Sequence, residues 1–332
     1  MKTTARKRVW RAIDSSESES SWSQLSTGLG AAAWASVAVL ARAGIAPIGS
    51  IELIFLLAPL VIVPLGMELL RLDGGGRFDA IALRVQPFCA AFAVLALWLP
   101  PGRSAAILAS AWMCLCLLLA ASFPTNFLSL SRSLSAGALR LRLIGTIARI
   151  DLLVGGTWFL ASRFGMHPFR TQEPMVLLTA VHFHFAGFAT AVISAAMLRF
   201  AQQHGLEPGL KRLLPLVVGM PYVVAAGFVI SPALKTGAGV VFSASVAALA
   251  IFLRFLARLT ESKSARFFLE IAAVGVFAGM VLSAVYAIAD VRGGNGFEIT
   301  QMASTHGLLN AVGFCLPALL GWLIESSVEA EM

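Results

Sequence analysis

The sequence predicts an all-α, polytopic membrane protein, and three properties of the chain carry this prediction. Of its 332 residues, 58% are apolar and only 13% are charged, against about 25% charged residues in soluble domains. Its mean hydropathy is +0.84. Apolar runs repeatedly reach the roughly 20 residues that a helix needs to cross a bilayer. These values exclude a soluble globular enzyme and leave no room for a sizeable soluble domain.

The N-terminal residues 1–24 are polar, basic at first and then rich in Ser and Glu. Such a composition predicts a disordered cytoplasmic arm. A secretory signal places its apolar region directly behind the basic residues, whereas here the Ser-rich stretch separates the two. The first apolar helix is therefore expected to be retained as a membrane span.

Ten apolar stretches follow, and each is predicted to be a membrane-spanning helix because of its length and composition. In chain order, the predicted spans are Leu25–Ala43, Ile51–Leu70, Val85–Leu99, Ala105–Phe123, Leu143–Ser162, Met175–Leu198, Leu213–Ile230, Ala238–Leu256, Phe268–Ala289 and Ile299–Ile324. They make up a transmembrane domain over 25–324, followed by a short acidic cytoplasmic tail over 325–332. Leucines interleaved with Ser and Arg predict an interfacial helix over 125–142.

The basic residues predict the orientation of the ten spans. With the N-terminus inside, 18 Lys and Arg residues fall on the cytoplasmic side and 6 on the outer side, and Arg149 lies within span 5. Cytoplasmic connections of membrane proteins carry such an excess of Lys and Arg. Both termini are therefore predicted to be cytoplasmic. The formal net charge of +8 is explained by the excess of basic residues in the cytoplasmic connections.

The placement of the basic residues and cysteines indicates which partners and cross-links to expect. Basic residues are scattered among apolar runs and form no single patch, so nucleic acid is not an expected partner and membrane lipids are. The cysteines all lie in apolar stretches, which excludes a secreted disulfide framework. They are Cys89, Cys114, Cys116 and Cys315.

Polar side chains at membrane depth are the candidate functional residues, because ionisable groups inside spans are costly and usually face the interior of a bundle. Span 5 carries Arg149 and Asp151, span 6 carries His182 and His184, and span 10 carries His306 and Asn310. At a rise of about 1.5 Å per residue, most of them lie roughly 10–17 Å from the predicted outer end of their span. If the three spans are neighbours, these groups form a cluster near the midplane.

The cluster has the chemistry of a metal site or of a polar network. One histidine of span 6, His306 and Asp151 would supply ligands for zinc, iron or copper, and two histidines on opposed helices would bind haem. The metal candidates are His182, His184 and His306, with Arg149, Asp151 and Asn310 as supporting polar groups. Because His182 and His184 point about 200° apart on a helix, at most one faces a given centre. Alternatively, the histidines are neutral and hydrogen-bond across helices.

Three functions remain open on these residues, and no catalytic residue is assigned. The first is a membrane enzyme or redox protein with a transition metal or haem. The second is a transporter of a small molecule or a proton-coupled substrate. The third is a structural or assembly factor of the membrane, in which the histidines only stabilise the bundle.

Two histidine segments resemble the signature stretches of the YndJ-like family of bacterial integral membrane proteins. They are residues 179–188, TAVHFHFAGF, and residues 305–314, THGLLNAVGF. The resemblance implies a multi-pass protein of the bacterial cytoplasmic (inner) membrane. It also implies that His182, His184, His306 and Asn310 belong together, and it names no reaction.

Overall fold

The computed structural model describes residues 2–74, 76–130, 135–291 and 299–331. Within these ranges the chain is helical and contains no β-strand. Ten of its helices are long and apolar enough to cross a membrane. The predicted all-α fold with ten spans is therefore confirmed.

The ten spans keep the predicted order, with bounds that differ by up to eight residues. Spans 1–10 are Trp22–Arg42, Ser50–Arg71, Arg77–Trp98, Arg103–Ser122, Ala136–Phe164, Met175–Gln203, Glu207–Ile230, Pro232–Ala257, Lys263–Ala289 and Ala303–Glu329. Several helices extend beyond these windows, namely Lys2–Arg42, Arg103–Leu130 and Lys263–Val291.

Spans 2 and 6 form the centre of the bundle. They have the largest buried fractions of all ten spans, 89% for span 2 and 78% for span 6. Spans 3, 4 and 5 pack in series on one side, and spans 7, 8, 9 and 10 pack in series on the other. Both central spans also contact span 10. A side chain on span 6 therefore faces one of two different helix groups, depending on its position around the helix.

The three spans that meet at the centre each contain π-helical turns. These are Ala58–Ile62 in span 2, Phe183–Ala189 in span 6, and Ala303–Gly307 and Leu309–Cys315 in span 10. A π-helical turn inserts an extra residue and frequently marks a functional site. Three of these segments contain the predicted residues His184, His306 and Asn310, one each.

The π-helical turn of span 2 accompanies two prolines, Pro59 and Pro64. Because Pro64 has no N–H, it cannot bond to a carbonyl of the preceding turn. Gln86 of span 3 donates its side-chain amide to the Pro59 carbonyl at 2.5 Å, and its Oε1 accepts from the Ser26 hydroxyl at 3.0 Å. Gln86 thus ties spans 1, 2 and 3 together.

Three segments outside the spans also differ from the predictions. The first helix begins at Lys2, in the stretch for which a disordered arm is predicted, because residues 2–27 contain no Gly or Pro to interrupt it. The predicted interfacial helix over 125–142 is divided between a helix that ends at Leu130 and one that begins at Ala136, while residues 131–134 lie outside the described residues. The last helix continues to Glu331, so that the described part of the predicted tail is helical.

Candidate functional site

A cavity of about 440 Å³ lies between spans 2, 6, 7, 8, 9 and 10. It is lined by the first halves of spans 6, 8 and 10 and by the last halves of spans 7 and 9. All of these segments lie towards the face of the bundle that the basic residues predict to be outer. The cavity therefore extends from the middle of the membrane towards the predicted outer face.

Span 10 contributes a paired imidazole and amide to the cavity. The His306 ring donates from Nδ1 to the Gly279 carbonyl of span 9 at 2.9 Å, and its Nε2 accepts from the Asn310 side-chain amide at 3.1 Å. The side chain of Asn310 lies against Gly279, where a Cβ atom would be 3.0 Å from its Oδ1. The predicted contact between His306 and Asn310 is present, and Gly279 makes room for it.

Span 6 contributes His182 from the facing wall. Its Nε2 lies 3.3 Å from the carbonyl oxygen of Pro221 in span 7, to which it donates. The edge-to-face ring of Phe242 lies 6.3 Å away, between centroids. His182 and His306 both line the cavity. Two of the three predicted histidines therefore share one cavity.

The rest of the lining is mainly apolar, with a few hydroxyl groups and one cation. Lys235 of span 8 lies near the predicted outer end of the cavity, with its ammonium 5.3 Å from the centroid of the Phe228 ring. The described lining residues include no Asp or Glu. Hydroxyl groups are supplied by Thr179, Thr190, Thr236, Ser283 and Tyr286. A wall of this kind suits a ligand that is largely apolar and has a polar group.

His184 lies outside this cavity, on the opposite side of span 6, as its spacing from His182 predicts. Its ring is fully buried. Its Nε2 accepts from the Trp112 indole at 3.0 Å, and its Nδ1 lies 2.7 Å from the Ala180 carbonyl, to which it donates. Since an indole N–H only donates, this arrangement fixes the tautomer. Both ring nitrogens are used, so His184 holds spans 4 and 6 together.

Asp151 also lies away from the cavity, between span 5 and the π-helical turn of span 6. It is fully buried, and neither of its carboxyl oxygens has a hydrogen-bond partner. Its side chain packs on Gly187, where a Cβ atom would be 2.8 Å from the Asp151 Cβ and Cγ. Tyr222 of span 7 faces the carboxyl group without forming a hydrogen bond of ordinary geometry.

Arg149 belongs to another environment again, near the predicted cytoplasmic side. Its guanidinium contacts Asp79 Oδ1 of span 3 through Nη2 at 2.9 Å and through Nε at 3.3 Å, and it donates to the Gly145 carbonyl at 3.0 Å. Asp79 Oδ2 accepts from the Gly76 N–H at 2.8 Å. Arg149 is therefore paired, and it is remote from the histidines.

The structure thus divides the predicted cluster into four separate environments. His182, His306 and Asn310 share the cavity, whereas His184, Asp151 and Arg149 each lie elsewhere. Within the ranges that the structure describes, no group of three or more His, Cys, Asp or Glu side chains is arranged to hold a metal ion. The metal site made of His182, His184 and His306 stays a prediction that this geometry does not favour.

Sequence reasoning missed Asp79, Trp112, Tyr222 and Lys235 as partners. Asp79 lies 70 positions from Arg149, and no local pattern connects the two. Tyr222 had a usable signal, because the chain contains only two tyrosines. Tyr222 faces Asp151, and the other, Tyr286, lines the cavity. A tyrosine in an apolar span therefore marks a candidate functional residue just as a histidine does.

Comparison with known proteins identifies a family and a relative from a bacterium. The profile of the family described as YndJ-like protein matches residues 53–314, which include nearly all of span 2, the whole of spans 3–9 and the first part of span 10. The chain is 29% identical over 178 residues to the "Uncharacterized membrane protein YndJ" of Bacillus subtilis (strain 168). The match covers 54% of this chain and 32% of that protein, so the aligned part is about a third of the relative's length. No solved structure matches the chain.

The family match includes both histidine segments, residues 179–188 and 305–314, together with most of the residues that line the cavity. The resemblance seen in those two segments is thereby confirmed. The match covers far more than half of the chain and agrees with the ten membrane-spanning helices. The chain therefore belongs to the YndJ-like protein family.

Proposed function

We propose that the protein binds a small amphiphilic molecule in the cavity between spans 2, 6, 7, 8, 9 and 10 and carries it as a membrane transporter. The observation that carries the proposal is the joint placement of His182, His306 and Asn310 on the walls of one apolar cavity. Small-molecule sites are concave, mostly apolar and provided with a few convergent polar groups. The cavity volume of about 440 Å³ lies within the usual range of roughly 300–1,000 Å³.

The polar groups determine which part of a ligand would lie deep in the membrane. Counted inward from the predicted outer ends of spans 6 and 10, His182 and His306 lie nearer to the outer face than Phe185 and Phe314 do. A ligand with a hydrogen-bonding group at one end would place that group between the two imidazoles. Its apolar part would contact Phe185, Phe242 and Phe314.

The π-helical turns favour transport over static binding. Irregular helix geometry at membrane depth is tolerated where it is buried in protein or lines a cavity, and transporters place such segments around substrates near the midplane. In this protein, residues of the turns Phe183–Ala189, Ala303–Gly307 and Leu309–Cys315 line the cavity. A turn that can exchange between π- and α-helical geometry gives the wall two conformations.

A metal- or haem-binding membrane enzyme is the second candidate function, favoured by two imidazoles on facing walls. His306 supports it weakly, because both of its ring nitrogens already have partners. Metal analysis and a visible absorption spectrum of the purified protein test this candidate. Near-stoichiometric metal or a haem band that is lost in His182→Ala and His306→Ala would place it ahead of transport.

The bacterial relative and the predicted excess of basic residues on one side support a place in the cytoplasmic (inner) membrane, with both termini inside. A reporter fused to the C-terminus tests this topology. An alkaline phosphatase fusion is expected to be inactive at that end and a fluorescent protein fusion to be bright. The reverse result would turn the cavity towards the cytoplasm.

Binding is tested by extraction of small molecules from the purified protein, followed by mass spectrometry. The wild type is compared with Ala186→Phe, which places a ring in the cavity, and with Ile107→Phe. Ile107 lies on span 4, 71% exposed on the lipid-facing surface, and its variant is the matched control. An amphiphile is expected to be enriched in the wild type and in Ile107→Phe and at least tenfold depleted in Ala186→Phe, on the order of a loss of 1.4 kcal/mol.

The proposal is contradicted if the three proteins release the same molecules in the same proportions to bulk lipid. Thermal unfolding of the three preparations in the same detergent shows whether Ala186→Phe is folded. Where it is not, Gly307→Phe supplies a second obstruction, since position 307 also lines the cavity and a Cβ there has no contact closer than 3.6 Å.

A further inference from the structure

Asp151 is the buried carboxyl group that the proposed ligand site leaves unexplained. It is fully buried at the middle of span 5, and neither oxygen has a hydrogen-bond partner. Within the described residues it forms no ion pair. A lone carboxylate in such surroundings is strongly disfavoured, because it loses its hydration without compensation. Its neutral, protonated form has a much smaller cost.

The other buried aspartate of the same region shows what compensation looks like. Asp79 has the guanidinium of Arg149 on one oxygen and the Gly76 N–H on the other. Its charge is matched, and its pairing is complete. Asp151 lies only two residues from Arg149 along span 5 and has neither kind of partner.

Few titratable groups face Asp151 from the helices packed around it. From span 7, Tyr222 faces the carboxyl group. From span 6, His184 packs on Gly155, one turn further along span 5, with both ring nitrogens bonded. From span 4, Cys116 packs on Gly156. None of these groups supplies a positive charge to balance a carboxylate.

A single element separates Asp151 from the cavity. The side chain of Asp151 packs directly on Gly187, and the neighbouring residue Ala186 lines the cavity. Both belong to the π-helical turn Phe183–Ala189. Span 7 makes a second connection, because Tyr222 faces Asp151 while the carbonyl of Pro221 accepts from His182.

We propose that Asp151 is a proton-binding site whose protonation is coupled to occupation of the cavity. The inference rests on the proposed function and extends it, because it makes the protein a proton-coupled transporter. In the described conformation the carboxyl group holds its proton and packs dry against Gly187. Ionisation returns one proton to water and leaves a carboxylate, which disfavours that close contact. The π-helical turn then changes its conformation, and this change alters the cavity wall. A ligand that contacts Ala186 acts on the same turn and opposes that change.

Infrared spectroscopy of the purified protein tests the proton site without any ligand. At neutral pH the wild type is expected to show the C=O stretch of a protonated carboxyl group in an apolar environment, and this band is expected to disappear as the pH is raised. Asp151→Asn, which has nearly the same shape, is expected to lack the band. Asp73→Asn is the control, since Asp73 lies in a connection and pairs with Arg199, and it is expected to keep the band.

The proposal is overturned if Asp151→Asn has the same carboxyl bands as the wild type, or if replacing choline with Na⁺ at neutral pH removes the band. The second result would identify a sodium site in its place. If Asp151→Asn does not fold, Tyr222→Phe serves instead. It removes the hydroxyl that faces the carboxyl group and is expected to shift the frequency of the same band, and an unchanged frequency would overturn the assignment.

Coupling is tested with the same band in Ala186→Phe, in which the added ring occupies the cavity, and in the lipid-facing control Ile107→Phe. The midpoint of the pH titration is expected to move by about one pH unit in the first variant, a roughly tenfold change in proton affinity that is ordinary for coupled sites. It is expected to stay in the second. An equal midpoint in both variants overturns coupling. Failure of ligand binding is read separately by mass spectrometry, which does not depend on Asp151.

Discussion

Arg149 and Asp151 show how the partners of a side chain decide its role. Both are charged residues of span 5, two positions apart, and the sequence marks both as candidates. Arg149 turns towards span 3 and pairs with Asp79, whereas Asp151 turns towards span 6 and has no partner. The spacing predicts that the two side chains point in different directions, but it cannot predict what either of them meets. That information lies in span 3, some 70 residues away.

Breaking the ion pair between Arg149 and Asp79 is expected to cause a large loss of stability. Its side chains are only 13% and 6% exposed, so Arg149→Gln would leave a buried carboxylate and cost about 3–5 kcal/mol. Adding Asp79→Asn removes the unpaired charge and is expected to recover part of the loss. The free energy of unfolding in mixed micelles is the measurement.

An exposed ion pair provides the control for that experiment. Arg254 and Glu270 are 56% and 31% exposed, and Arg254→Gln is expected to cost no more than about 1 kcal/mol. Equal losses for Arg149→Gln and Arg254→Gln would show that burial of the first pair has no energetic weight.

Asp73 predicts a dependence of stability on pH. It lies in the connection between spans 2 and 3, where burial raises the pKa of its carboxyl group and Arg199 opposes the shift less strongly. A raised pKa means that the folded protein binds the proton more tightly than the unfolded chain. Stability is therefore expected to fall as the pH rises from the ordinary carboxyl range through the raised pKa, and to stay level above it.

The thermal midpoint as a function of pH measures this contribution. Asp73→Asn has no proton to exchange at this position, so its midpoint is expected to vary less over that window than the midpoint of the wild type. If both proteins have the same profile, Asp73 is not the source of the dependence.

Helix packing in the centre of the molecule relies on glycine at two crossing points. Spans 5 and 6 fit together reciprocally, since His184 of span 6 packs on Gly155 and Asp151 of span 5 packs on Gly187. A Cβ atom at position 155 would lie 2.5 Å from His184 Nδ1. The fit places the π-helical turn of span 6 directly against span 5.

Gly155→Ala and Gly187→Ala are each expected to lower the free energy of unfolding by about 1–3 kcal/mol, because an added methyl group forces two packed helices apart. Gly219→Ala in span 7 is the matched control, since no atom lies within 4 Å of the Cβ position there. It is expected to cost nothing. If Gly219→Ala lowers the free energy of unfolding as much as the other two variants do, the loss comes from replacing a helical glycine and not from the contact between spans 5 and 6.

Glu325, near the C-terminal end of span 10, is also expected to contribute to the free energy of unfolding. It is buried, and its carboxylate accepts from the N–H groups of Glu261 and Ser262 at 2.8 and 3.1 Å, just before span 9 begins. Glu325→Ala leaves two backbone donors without their acceptor and is expected to cost about 1–3 kcal/mol. The exposed Ser327→Ala, two positions further on, is expected to be neutral, and an equal effect of both would contradict the capping role.

At the scale of the whole molecule, the number and order of the spans could be predicted because hydrophobic length is a local property of the sequence. The ends were less accurate, as in span 1, whose helix begins at Lys2. The division of the polar cluster could not be predicted, because it depends on which helices surround span 6. Only the opposite directions of His182 and His184 and the contact of His306 with Asn310 follow from spacing within one helix.

The central claim places the ligand in a cavity that extends towards the predicted outer face, and cysteine labelling of intact cells tests most directly whether the cavity is reached from that side. In a background with all four native cysteines replaced by Ala, Ser283→Cys on the cavity wall is compared with Ser194→Cys, which is fully buried in span 6. A small, membrane-impermeant thiol reagent is expected to label position 283 and not position 194. Absence of labelling at both positions, in protein shown to be folded, would contradict the account.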